Sequence, residues 1–165
     1  MGLFGIGGEK SSGIVTNYGA DQVGMMKMLA GMPQMMRKPM MQGRLNQLLA
    51  LNEESHQESI REMIGAFHSP KVKDKARKKL VTTRVEIISE FPEDKRRIIM
   101  LSRASTPSVA PKLEGADRQL QERVLPKVAA PARAAFNSTW TQIEKAKKGE
   151  GGYAPSPRQA LARRL

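Results

Sequence analysis

Eight of the chain's eleven methionines fall between Met25 and Met41: Met25, Met26, Met28, Met32, Met35, Met36, Met40 and Met41. A thioether is soft, polarizable and carried on a flexible stem. It fills irregular apolar surfaces and adaptable binding faces, and it is also a ligand type that selects Cu(I). Three chemistries follow. The first is apolar packing or a partner surface, the second is a groove for an apolar peptide, and the third is thioether ligation of Cu(I). The residues placed at such an apolar contact are Met32, Met35, Met36, Met40 and Met41, joined further along by Phe136 and the single tryptophan, Trp140.

The second candidate is cationic. Residues 71–84 hold Lys71, Lys73, Lys75, Arg77, Lys78, Lys79 and Arg84 against Asp74 alone, a net +6 out of +12 for the chain. On a helix Lys71, Lys75, Lys78 and Lys79 share one side, while Val72, Ala76, Leu80 and Thr83 run down another. Such a ridge suits phosphates or anionic headgroups. No aromatic residue interleaves it, so contacts would be to backbone phosphate rather than stacked bases. Residues 147–165 add Arg163 and Arg164 in a Gly/Pro-rich basic tail of net +4. Over the methionine stretch, about twenty residues resemble in composition the methionine-rich domain of the signal recognition particle protein, which implies a groove for an apolar peptide. No GTPase domain accompanies them here.

Other chemistry is thinly represented. There is no cysteine, hence no disulfide and no thiolate metal site. His56 and His68 lack metal-ligand spacing and read as surface residues. Gly5-Ile6-Gly7-Gly8 has no preceding strand and no Walker lysine-and-hydroxyl ending. Glu86 and Glu90 lie four apart but have no histidine tied to them. The expectation is a protein that is not an enzyme and needs no cofactor. No run of eighteen apolar residues suggests a membrane span. The first residues lack the basic start and apolar stretch of a secretory signal. Gly2 has Ile6 where a myristoylation signal wants Ser or Thr. An intracellular location, in the cytoplasm or an organelle interior, is expected.

The elements that must position these groups are helices. Between Arg44 and Arg103 three joints stop one helix and start the next. At the first, Leu51 precedes Asn52, a good N-cap, and Glu53 and Glu54 suit the positive end of the helix dipole. The second runs Phe67-His68-Ser69-Pro70, with Ser69 expected as cap and Pro70 as first helical residue. The third is Phe91-Pro92-Glu93-Asp94. Apolar stripes at helical spacing connect them: Ile60, Met63, Ile64 and Phe67, then a broad seam from Leu80 to Phe91. The spacing predicts an all-α fold, a small helical domain of several short helices with extended, largely irregular N- and C-terminal arms.

The expected organisation is a Gly/Met-rich arm over 1–43, a helical core over 44–103 and a Pro-rich linker over 104–113. A helical segment follows over 114–146, then the basic tail over 147–165. Pro33 and Pro39 are expected to interrupt any long helix in the methionine stretch, leaving a short one at 21–31. Pro107 and Pro111 should stop helix in the linker, and Pro126 and Pro131 should break the later segment. With 39 % hydrophobic residues and only 4 % aromatic, the core is thin, and docking on a partner would add burial. The function that fits is a non-catalytic accessory subunit or assembly factor of a larger complex, with protein subunits as partners. One alternative is a ribosome-associated, RNA-binding basic protein, with an anionic membrane surface as a further partner for the same ridge. The other is a Met-rich module for an apolar peptide or Cu(I).

Overall fold

A computed structural model of the chain describes residues 18–105 and 111–149. These form seven α-helices: α1 Tyr18–Gly31, α2 Gln34–Ala50, α3 Glu53–Phe67, α4 Asp74–Glu90, α5 Glu93–Ser105, α6 Pro111–Val124 and α7 Ala130–Gly149. A short 3-10 turn, Leu125–Lys127, joins the last two. No strand occurs among the described residues, and the fold is all-α. No described helix is long and apolar enough to cross a membrane. The expected extended arms at 1–17 and 150–165, with Arg163 and Arg164, lie outside the described residues.

The joints explain where the helices stop. Asn52 accepts the backbone N–H of Ser55 on its side-chain oxygen at 2.9 Å, and α3 begins one residue later with Glu53 and Glu54 in its first turn. Pro92 stands just before α5, and its carbonyl takes the first helical bond, from the Arg96 N–H at 2.9 Å. The second joint differs from the expectation. Ser69 and Pro70 do not open a helix. The Ser69 hydroxyl accepts the Lys71 N–H at 3.3 Å and its carbonyl accepts the Val72 N–H at 3.0 Å, so residues 68–72 make a turn. That turn drives Val72, 1 % exposed, into the interior before α4 starts at Asp74.

The prolines also behave differently from a simple reading. Pro39 lies inside α2 and does not end it. The backbone bond it forgoes would have gone to Met35, four residues back, which is 81 % exposed, so water can satisfy that carbonyl. Pro111 opens α6 rather than stopping a helix, and Pro131 sits in the first turn of α7, where no donor is needed. Pro126 lies in the 3-10 turn and does break the segment.

Helix α4 is the axis of the molecule. It packs against α1, α2, α6 and α7. From Leu80 to Ile88 no residue is exposed, and Val81, Val85 and Ile87 are wholly inaccessible. Packing covers most of its circumference there, and the polar side chains Thr82, Arg84 and Glu86 are only partly exposed. Each such side chain contributes about 1.5–3 kcal/mol of burial. The core is not confined to 44–103. Leu29 from α1, Leu120 and Val124 from α6, and Phe136 and Ile143 from α7 belong to the same apolar cluster.

Three arginines fasten helix ends. Arg37 donates Nη1 to the Met32 carbonyl just beyond α1 at 2.9 Å, and Nε to Thr83 Oγ1 of α4 at 2.9 Å. Arg77 donates Nε to the Phe67 carbonyl at 3.0 Å and Nη2 to that of Ser69 at 2.7 Å. Arg96 donates Nη1 to the carbonyls of Ser89 and Phe91, at 3.3 and 3.1 Å, and Nε to Thr139 of α7 at 2.8 Å. In each case a cation meets the orphan carbonyls and negative dipole end of a helix.

Candidate functional site

The methionines divide into two populations. Met28, Met35, Met36 and Met40 stand 48, 81, 54 and 43 % exposed. Met25, Met26, Met32 and Met41 are partly buried against the core. The division follows helical phase. In α2 the inward positions are Arg37, Met41, Leu45 and Leu48, so Met36 and Met40, four apart, fall together on the outward flank.

Three of the inward methionines, Met25, Met26 and Met41, wall a half-open cavity of about 120 Å³ between α1, α2, α3, α4 and α5. Met25, Met26, Met41 and Met63 supply flexible thioethers, and Leu29, Leu45, Leu48, Phe67 and Leu80 supply rigid apolar wall. Against this lining stand Gln22, Gln47, Ser59 and three arginines, Arg44, Arg84 and Arg103; among the described residues no aspartate or glutamate lines it.

Arg84 and Arg103 meet at Phe67, with guanidinium carbons 5.9 and 6.0 Å from the ring centroid. Arg103 then reaches Asp117 of α6, donating Nε at 2.7 Å and Nη2 at 2.5 Å. His68 Nε2 lies 3.1 Å from the same carboxylate, and Gln121 donates to it at 3.0 Å. The Asp117 and His68 side chains are only 8 and 6 % exposed. Burial alone would raise the Asp117 pKa; the Arg103 charge, the hydrogen bonds from His68 and Arg103, and the Arg84 charge outweigh it and hold the carboxyl well below the usual carboxylate range. Arg84 has no carboxylate of its own in hydrogen-bond contact, and its Nη2 is buried without a hydrogen-bond partner. Burial first, then Arg103, pushes its guanidinium down to about 9 against the pull of Asp117, which still leaves it charged at neutral pH.

The cationic run resolves into different roles. Lys71, Lys73, Lys75 and Lys79 are exposed around the start of α4. Lys78 pairs with Asp74 at 2.9 Å. Arg77 is spent on the α3 carbonyls, and Arg84 lies inside with the cavity, apart from the ridge. Phe136, 3 % exposed, is a core residue. Trp140 is partly buried; its Nε1 donates to Glu144 at 2.8 Å and Arg118 lies over its ring at 5.9 Å.

Both histidines are inside, contrary to their reading as surface residues. His56 Nδ1 is 2.7 Å from the Leu48 carbonyl, and His68 faces Asp117, with its ring edge-on to Phe67. Glu86 and Glu90 are engaged by α2, accepting from Gln34 at 2.8 Å and Lys38 at 2.5 Å. Among the described residues no group of three or more His, Cys, Asp or Glu could hold a metal ion.

Sequence reasoning missed Gln22 and Arg103 among the cavity's polar members, and Asp117, which pairs with Arg103 behind it. One signal did point there. Arg84 falls in the same helical stripe as Leu80, Val81 and Ile88, and a charge in a core stripe asks for a buried partner. No protein-family model, curated protein or solved structure matches the chain.

Proposed function

We propose that the chain is a non-catalytic accessory subunit or assembly factor, which docks on a protein partner through the methionines of α1 and α2. One observation carries this reading. The large hydrophobic side chains that are exposed among the described residues, Met28, Met35, Met36 and Met40, are all methionines, and all lie in one stretch of two consecutive helices. Unbranched thioethers are suited to contact with an adaptable apolar surface, and their exposure has a cost that a docked partner would remove.

The test is sedimentation of the endogenous full chain through a gradient, with and without RNase, followed by mass spectrometry of co-migrating proteins. The same run is made for a variant carrying Met35→Lys, Met36→Lys and Met40→Lys. The reading expects a large particle indifferent to RNase, and a variant that folds but sediments as the free chain. Sedimentation of the unaltered chain alone, or an unshifted variant, overturns it.

A second reading rests on Lys71, Lys73, Lys75 and Lys79, exposed around the N-terminal turns of α4. Lysines at the positive end of a helix dipole repel it slightly and present a strong field to an anion. This arrangement supports contact with RNA phosphate. A particle collapsed by RNase, with binding that falls steeply as salt rises, favours this reading over the first.

A further inference from the structure

The cavity combines features that apolar packing alone does not require. Its walls are methionine, leucine and phenylalanine, yet they carry three arginines and, among the described residues, no carboxylate. Arg103 has its counter-ion in Asp117. Arg84 has none in contact, and its Nη2 is buried without an acceptor. The Gln22 side-chain oxygen, at the α1 wall of the same cavity, is likewise buried without a partner. A rotated Gln22 amide would present N–H donors there instead. Unmet buried hydrogen-bonding groups are costly, and more so where one carries a charge. Both belong to side chains that line one apolar space, which puts the polar end of a ligand beside them once a side chain turns toward it.

We propose that this cavity binds a medium-chain acyl carboxylate, its chain among Met25, Met26, Met41 and Met63 and its carboxylate on Arg84. Charge complementarity argues for the anion, since the wall offers guanidinium and amide donors and no competing acid among the described residues. A single negative charge with two oxygens fits the fork of one arginine and is desolvated at less cost than a phosphate dianion. The volume argues for a short chain. About 120 Å³ is a little below a benzene-sized apolar site, which holds roughly six carbons, and rotation of methionines on the open side lengthens the space for a chain of about eight. The site is independent of the outward methionine face.

The experiment is calorimetric titration of the full chain with octanoate and with octanol, repeated on Arg84→Met. Methionine keeps most of the volume and removes a desolvated charge, and Asp117 retains Arg103 as its partner, so this variant is expected to fold. The unaltered protein should bind octanoate more tightly than octanol. Arg84→Met should weaken octanoate by roughly ten- to a hundredfold, the worth of one charge-assisted bond, and leave octanol unchanged. Absence of octanoate binding, equal affinity for octanoate and octanol in the unaltered chain, or undiminished octanoate binding by Arg84→Met each overturns the proposal. If Arg84→Met fails to fold, the ¹³C carboxyl resonance of labelled octanoate decides on the unaltered protein. Its pKa must fall on binding beside Arg84, and an unshifted value overturns the assignment.

Discussion

Arg103 of α5 grips Asp117 of α6 with two parallel hydrogen bonds, 2.7 Å from Nε and 2.5 Å from Nη2, and the same carboxylate anchors His68 at the end of α3. One acid thus gathers three helices, and its field reaches Arg84 on a fourth. Buried pairs of this kind contribute little relative to an apolar replacement of both partners, but removing one partner leaves the other charged, dry and unmatched.

Asp117→Asn is therefore expected to lower the unfolding free energy by about 3–5 kcal/mol, because Arg103 and Arg84 lose their shared counter-ion. Urea unfolding followed by far-UV circular dichroism measures this, and a loss below about 1 kcal/mol would show that water reaches the cluster. Arg103→Lys should recover only part of the stability of the parent, since an ammonium cannot make the two-pronged contact.

Acid should unfold the protein through the same residue. The folded Asp117 pKa is depressed below its unfolded value near 3.8, so its stabilisation is present in full above that value. It is lost as pH falls from about 5 toward 1, where the unfolded chain binds a proton that the folded state refuses. Stability measured across that range should decline in the parent with a slope that Asp117→Asn visibly flattens. Parallel slopes in the two proteins would assign acid sensitivity to other carboxylates.

Pro39 gives a prediction in the opposite direction. It occupies the interior of α2 and deprives the helix of a bond to Met35. Pro39→Ala is expected to raise stability by about 1–2 kcal/mol, the restored helical geometry outweighing the added freedom of the unfolded chain. Thermal unfolding reads this as a higher Tm. An unchanged or lower Tm would mean that α2 is shaped around the proline.

What could be read from the sequence was what neighbouring residues decide. Asn52 caps α3 because its oxygen is three residues from the Ser55 N–H, and the break at Phe91-Pro92-Glu93 is set by the proline and two acids. Ser69-Pro70 carries the same local chemistry, yet the chain forms a turn there so that Val72 can be buried, a long-range demand no local rule contains. The histidines misled for the same reason. His68 finds Asp117 forty-nine residues away, and only the approach of α6 to the end of α3 turns a surface-type residue into an interior one. The methionine stretch was visible as composition, but its partition into an outward flank and a cavity wall depends on which helices cover it. Arg84 and Arg77 counted equally with the lysines in the charge run; packing turns Arg77 onto the end of α3 and Arg84 onto the cavity wall.

That separation has a consequence for how the chain meets its surroundings. The guanidiniums of Arg37, Arg77 and Arg96 close the ends of helices, while the amines of Lys71, Lys73, Lys75 and Lys79 face solvent. Scaffold and outward field are thus written in two different functional groups. A modification that neutralises amines, such as acetylation, can tune how strongly this protein attracts an anionic surface and leave all three of those helix ends fastened.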